Sequence, residues 1–195
     1  MSRISAVVVL LWMLPGLLPA QAAQAEPPIP RCSLPGKSEL GFAATWEGTV
    51  FRGKFNEFDA LINFDPADLA ASSFDVHIDV TSGRTGSRDR DEGMGEPEWF
   101  DFMAYPAARY QATDFQDLGD GEFLANGRLE LKGMVHPVPV KFSWQQLPEK
   151  AVLTGGASIS RLDFGIGQGD WATDEIIGLL VEVEFSLELL PCAAP

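Results

Sequence analysis

The chain has 195 residues, 46% of them hydrophobic and 22% charged, which is the size and make-up of one globular domain rather than a disordered segment. Acidic residues number 28 against 14 lysines and arginines, a formal net charge of −14. A surface of that sign repels phosphate backbones, so no nucleic-acid partner is expected, and the acidity itself reads as a solvated exterior.

The first segment carries its own pattern. Arg3 is followed by an apolar run from Ala6 to Leu18, broken by Pro15 and Pro19, and then by Ala23-Gln24-Ala25. A basic start, a short greasy stretch and small residues at the cleavage positions predict a secretory signal peptide over residues 1–25 and a mature domain over 26–195. The run is too short and too interrupted to span a bilayer. Export implies a periplasmic or secreted protein. The only two cysteines, Cys32 and Cys192, then sit in an oxidising compartment and are expected to form one bridge near the two chain ends. No other Cys or His stands at ligand spacing from either, so a metal site is not expected.

Residues from Glu26 to Gly36 are proline-rich and read as an extended lead-in. From there the signal is alternation with period two, the mark of strands with one buried face. Leu40, Phe42, Ala44 and Trp46 make one apolar row; Phe51, Gly53 and Phe55 the next; then Phe58, Ala60, Ile62 and Phe64. Phe74, Val76, Ile78 and Val80 interleave with Asp75, His77 and Asp79. A strand is expected around Arg109 to Phe115, followed by rows at Phe123–Leu131, Val138–Trp144, a weaker strand at Ala151–Ser160, and Val181–Leu189. Turns are placed at Gly48, Asp65-Pro66, Gly119-Asp120-Gly121, His136-Pro137 and Pro148, with short helices at Pro66–Ala71 and Ser87–Met94. Eight or nine strands without a sustained helical period predict an all-β fold. Both terminal strands carry full apolar faces, so neither looks like a guarded edge. The cysteines fall where the first and last staves of an even-numbered antiparallel barrel meet. The expected architecture is therefore a closed antiparallel eight-stranded barrel, lipocalin-like, with one or two short helices.

Five stretches, in order, resemble one known family. Gly48-Thr49-Val50-Phe51-Arg52-Gly53-Lys54-Phe55 is similar to its v-x-G-x-F hairpin, and Ile62–Pro66 with Ala71–Asp79 to its next two strands. Arg90-Asp91-Glu92, Glu98-Trp99-Phe100-Asp101 and Tyr105-Pro106 follow its Arg-Asp signature, with Gly93-Met94 where the family has His-Leu. Leu129–Gly133 with Pro137-Val138, and Arg161-Leu162-Asp163-Phe164-Gly165-Ile166-Gly167, complete the set. The chain thus resembles the YceI family of exported, lipocalin-like barrels. That resemblance implies a protein that holds a polyisoprenoid or another long apolar chain for carriage or storage, and some members stand beside cytochrome b561-type membrane proteins.

Composition adds to this. Thirteen phenylalanines against two tyrosines suit a dry interior, since phenylalanine needs no hydrogen-bond partner. The expected tail site takes Phe42 and Trp46, then Phe55, Phe58 and Ile62, then Val76 and Ile78. Phe123, Leu129 and Leu131 join from one later strand, Phe142 and Trp144 from the next, and Val183 and Phe185 from the last. Phe100 comes from the long segment Ser82–Ala108, which also brings Arg84, Arg88, Arg90, Met94, Trp99, Phe102 and Met103 to the expected mouth. Arg90 and Asp91 are assigned to the headgroup; Arg84 and Arg88 are expected to pair with Asp89, Asp91 and Glu92.

No cofactor is expected beyond a bound lipid. Neither His77 nor His136 is paired with a nucleophile, and no hydrolase or phosphate-loop motif is present, so no catalysis is expected. Two other readings stand beside lipid binding. One is a filled barrel making a peripheral contact with a membrane redox protein of the b561 type. The other is a lipid-acting hydrolase or isomerase, which needs a buried polar dyad. A monomer or a homodimer fits each.

Overall fold

The computed structural model describes residues 29–192; the expected signal segment lies outside the described residues. Twelve strands are present: β1 (Arg31–Ser33), β2 (Glu39–Trp46), β3 (Thr49–Phe55), β4 (Phe58–Asn63), β5 (Ser73–Asp79), β6 (Gly83–Arg84), β7 (Ala107–Ala112), β8 (Phe115–Gly119), β9 (Glu122–Leu131), β10 (Met134–Gln146), β11 (Ala151–Ser160) and β12 (Leu180–Pro191). One α-helix, α1 (Arg88–Gly93), and a 3-10 turn at Leu69–Ala71 fall inside the two segments expected to be helical.

Register reduces the twelve strands to eight staves. β3 and β4 are two halves of one bent stave, and β5 and β6 are two halves of its neighbour: Phe58 lies opposite Ile78, and Phe55 opposite Gly83. At the bend the Ser82 hydroxyl accepts the N–H groups of Asn56 and Glu57 at 3.1 and 3.0 Å, so no backbone donor is stranded where the ladder breaks. β7 and β8 likewise run along β9 as one stave, with Tyr110 opposite Leu129 and Phe115 opposite Ala125. Each stave pairs antiparallel with the next, and β12 returns to pair with β2. The barrel is closed, and closure removes the unpaired edges that an open sheet must guard.

β1 is the strand the sequence did not suggest. The lead-in is not merely extended: Arg31–Ser33 slips between the ends of β12 and β4, where β2 has already turned away. Three residues are too few to show alternation; only the partner strands define them. The Cys32–Cys192 disulfide pins β1 to the end of β12, with Cα atoms 5.1 Å apart.

One expected turn is corrected. His136 and Pro137 lie within β10, opposite Leu129 and Arg128. The hairpin turns one step earlier, at Lys132 (φ 49°) and Gly133 (φ 72°), the two left-handed residues of a tight two-residue loop. β11 joins β10 only from Lys141 onward, so Pro137 and Pro139 sit where one side of the strand has no partner and a missing N–H costs nothing.

The two ends of the barrel differ. The closed end carries β1, the disulfide and the turns at 64–72, 119–121 and 147–150. Its interior is solid. Phe64 stands at the centre of a ring cluster, with centroids of Phe115, Phe123, Phe142 and Trp144 at 5.6, 5.0, 5.1 and 5.3 Å, all edge-on. Phe74 closes the set, 4.8 Å from Phe115. Such edge-to-face pairs add to the burial of each ring.

Replacing Phe64 by Ala removes the hub of this cluster and is expected to cost about 3–5 kcal/mol, read as a lower midpoint in chemical denaturation. Replacing Cys32 and Cys192 together by Ser frees a loop of 160 residues and is expected to cost at most about 5 kcal/mol by the same measurement.

Candidate functional site

The other end of the barrel is hollow. A cavity of about 620 Å³ occupies the half bounded by the β2–β3 turn, the segment 80–106, the β9–β10 turn and the loop 161–179. That is the size range of small-molecule sites. Its wall is almost wholly hydrocarbon, which follows from the alternation: the row of each stave that faces inward is apolar.

Twelve of the fifteen residues expected for the tail site are on this wall: Phe42, Trp46, Phe55, Phe58, Ile62, Val76, Ile78, Phe100, Leu129, Leu131, Val183 and Phe185. Phe123, Phe142 and Trp144 are not. They face inward as expected but lie in the ring cluster of the closed end, below the cavity. Two inward glycines also differ from what their size suggests. They widen nothing, because a Cβ at Gly53 would overlap the Phe42 ring and one at Gly127 would overlap Tyr110. Each glycine seats a ring from the neighbouring stave. Tyr110 is held at the cavity's lower edge, its hydroxyl 3.2 Å from the carbonyls of both Ala125 and Val138, and burial pushes its phenol up from the ordinary value.

Polar groups on the wall gather at α1 and the turn before it: Thr85, Ser87, Asp89 and Arg90. Arg90 has its guanidinium carbon 4.8 Å from the centre of the Phe51 ring and donates from Nε to the Thr85 hydroxyl at 3.3 Å. Cation–π contact with a partly desolvated ring attracts the charge without neutralising it. Among the described residues Arg90 makes no ion pair, whereas Arg88 pairs with Glu92 at 2.7 Å, as expected. Arg84 does not pair with the acids; it donates to the carbonyls of Thr81 and Gly83 at 2.9 and 2.6 Å.

Asp91 stands off the wall. It takes the N–H and hydroxyl of Thr85 at 2.7 and 2.6 Å, and the hydroxyl's donation holds its carboxyl below the usual carboxylate range. Its place is behind Thr85, orienting the oxygen that receives Arg90. Gly93 and Met94, which replace the His-Leu of the motif, both line the cavity, so the position of the motif's histidine carries no side chain and a methionine stands where the pattern has leucine. Arg109 points out of the barrel and clamps Asp75, with Nε–Oδ1 at 2.8 Å.

Two mouth loops are braced in ways that the sequence hid. Arg161 is 3% exposed and donates to six carbonyls, those of Ile166, Gly167, Trp171, Thr173, Ile177 and Gly178, at 2.6–3.1 Å. Burial pulls its guanidinium below the ordinary arginine value, and the carbonyl dipoles stand in for a counter-charge. It pins the loop 161–179. Lys132 donates to the carbonyls of Pro97 and Gly165 at 2.7 and 2.8 Å, tying that loop to the segment 80–106. Trp171 then reaches Trp46 and Trp99, each at 5.8 Å between centroids. The available signal for Arg161 was an arginine opening a glycine-rich loop; its six acceptors come from residues up to 17 positions away and are visible only when folded.

These features meet in known proteins. The model of the YceI-like domain matches residues 34–189. The chain belongs to the YceI-like family. A UPF0312 protein of Vibrio cholerae is 32% identical over 124 residues, covering 60% of this chain and 66% of that protein, so this chain spans just under two thirds of the relative's length. A UPF0312 protein of Pseudomonas putida is 28% identical over 153 residues, 75% of this chain and 76% of its own. Among solved structures, Burkholderia cenocepacia BcnA superposes with a TM-score of 0.77 at 27% identity, covering 80% of this chain and 98% of that one. A polyisoprenoid binding domain from Saccharophagus degradans, implicated in plant cell wall breakdown, superposes at 0.67 with 18% identity, covering 84% of this chain and 99% of that one; at that identity the likeness is of fold.

In this YceI-like chain the Arg161 brace is a separable test. Arg161→Met leaves a fan of buried carbonyls without donors and is expected to cost about 3 kcal/mol or more in thermal or chemical unfolding. Arg161→Lys restores charge but offers three donors in place of five, so it recovers only part of that loss.

Proposed function

We propose that this protein is an exported binder of one long apolar chain with an anionic head, and that it carries or stores that chain rather than transforming it. The observation that carries the reading is the one-ended cavity: a hydrocarbon wall closed below by packed rings, with Arg90 at its polar edge, outside every ion pair found among the described residues. A tail would displace no hydrogen-bonded water from such a wall, and a phosphate or carboxylate would give Arg90 the partner it lacks. The polyisoprenoid class is supported by family membership and by the Saccharophagus domain of the same fold. The binding role is supported by the two buried polar groups on the wall, since Tyr110 and Arg161 are turned to backbone carbonyls rather than into the cavity. The hollow upper half speaks against the filled-barrel reading. Export rests on the pattern of residues 1–25 and agrees with the disulfide.

Trp46, Trp99 and Trp171 line the cavity, so occupancy can be followed by their fluorescence in delipidated protein. Farnesyl monophosphate and farnesol are both expected to change the emission. Arg90→Gln is expected to weaken the phosphate roughly ten- to hundredfold, the loss of a charged hydrogen bond, and to leave farnesol within about twofold. No response of the unmodified protein to either probe would refute the proposal; equal losses for both would remove Arg90 from the headgroup site.

A further inference from the structure

We infer that the rim of the cavity mouth docks on the surface of a lipid bilayer without net charge, and that the protein collects or delivers its chain there rather than through water. The inference rests on the lipid-binding reading and adds the surface at which it operates.

The exposed apolar side chains are unevenly placed. Ten large hydrophobic residues are exposed among the described residues, and seven of them stand at the mouth. Val50 follows the β2–β3 turn, Met134 and Val135 open β10, and Leu180 opens β12. Met103 and Tyr105 belong to the segment 80–106, and Ile176 to the loop 161–179. Met103 is 95% exposed, Val50 61% and Leu180 59%. The other three lie in the closed half: Ile29 just before β1, Leu61 opposite Cys32 of β1, and Leu118 in β8. None of the seven lines the cavity, so the rim is a surface separate from the chain site. Exposed apolar side chains gathered in one region mark an interaction surface.

The rim is held in two arcs. On one side Thr45 lies opposite Val50 and accepts the N–H of Gly178, between Ile176 and Leu180, at 2.9 Å. On the other the Tyr105 ring lies against Gly133, next to Met134. Lys132 and Arg161 brace the loops between, so these side chains are presented on fixed backbone. Val50, Met134, Val135 and Leu180 are each the first or second residue of a strand, within about 7 Å of its end at ~3.3 Å per residue. Interfacial elements sink by a similar depth, ~5–10 Å, into the boundary of headgroups and acyl chains.

Two features choose the occupant. The rim is a broken ring contributed by four separate segments and not a groove. A fluid layer accepts separate prongs, whereas a protein partner has to match each one. The mouth lies inside the ring, so a docked bilayer would set its hydrocarbon against the hydrocarbon wall of the cavity. Charge then chooses the kind of bilayer. Glu47, Glu98, Asp163, Asp170, Asp174 and Glu175 are exposed on the same turns and loops. Asp117, Asp120 and Glu149 are exposed at the closed end, so acidity does not set the mouth apart and the apolar ring does. Acids at headgroup level are repelled by anionic lipid and are tolerated by a zwitterionic surface.

The test compares uptake from vesicles with binding in solution. Mature protein freed of lipid is mixed with phosphatidylcholine vesicles that contain geranylgeranyl monophosphate, and the initial rate at which the prenyl phosphate appears on the protein is measured. The rim triple variant Val50→Ser, Met103→Ser, Leu180→Ser is expected to slow that uptake about tenfold or more, since burying one methylene is worth about fourfold in partition. Its binding of farnesyl monophosphate in vesicle-free solution is expected to stay within about twofold of the unmodified protein, which also shows that it is folded. The triple Ile29→Ser, Leu61→Ser, Leu118→Ser in the closed half is expected to take up the chain at the unmodified rate. Replacing about a third of the phosphatidylcholine by phosphatidylglycerol is expected to slow the unmodified protein, and added sodium chloride to restore it. A rim triple that takes up the chain as fast as the unmodified protein would overturn bilayer docking, leave lipid binding standing and leave the ring to a protein partner. Faster uptake from the anionic vesicles would overturn the uncharged surface. Failure of the unmodified protein to bind farnesyl monophosphate in solution would instead overturn the lipid-binding reading.

Discussion

A barrel that keeps half of its interior empty must draw its stability from the other half. An eight-stranded barrel is wide enough that its inward side chains either meet at the axis or leave a hole. Here they meet at one end only. Phe64 is the point where they do: it follows β4, points to the axis, and touches rings contributed by β8, β9 and β10 as well as Phe74 of β5. Those contacts join staves that are not neighbours in the sheet, which backbone pairing alone cannot do. With the closed end dry and cross-linked, the open end can present apolar surface that is not buried by the protein itself. The disulfide acts on the same end, holding the β1 wedge against the last stave. Stability is concentrated at one pole and the candidate binding surface at the other.

The mouth follows a different rule, that of polar groups removed from water. Two cations are placed at the wall, and each is treated in its own way. Arg161 is sunk into a fan of carbonyls that use all of its donors, so its charge stabilises a loop and has little left to offer a ligand. Arg90 is backed by one hydroxyl and one ring face, and its remaining donors have no acid in ion-pair reach among the described residues. Arg84 and Arg161 are also outside the ion pairs found among the described residues, but both are turned to backbone carbonyls, whereas Arg90 has donors left at the cavity wall. Asp91 explains how that arrangement persists: the nearby acid is occupied by Thr85, and Thr85 rather than the acid faces Arg90.

Much of the fold was legible in the chain because period-two alternation is a direct consequence of strand geometry. The rows from Leu40 to Trp46, Phe74 to Val80 and Val181 to Leu189 all face inward as read. Alternation reports which side a residue faces and not its height along the barrel axis. Phe123, Phe142 and Trp144 therefore read the same as Leu129, Leu131 and Phe185, though three of these six are packed below the cavity and three line it. Height is fixed by register between staves, through pairs such as Phe142 with Phe123 and Phe185 with Leu40, and one strand cannot reveal its register alone. The same limit hid β1, which is defined by its partners, and the role of Arg161, whose acceptors assemble only when the loop closes. His136-Pro137 misled for the opposite reason. Proline usually marks a turn, but a strand with one free side accepts it.

The central claim is that the hollow half of this YceI-like barrel is built to be filled by a single apolar chain. Native mass spectrometry of the protein purified from its own host, without detergent or added lipid, tests it most directly. The account predicts a one-to-one adduct that survives gentle ionisation, is removed by organic extraction and carries the mass of a long-chain amphiphile. A protein that emerges from repeated native preparations at the bare mass of its polypeptide, and takes up no chain when one is offered, would contradict it.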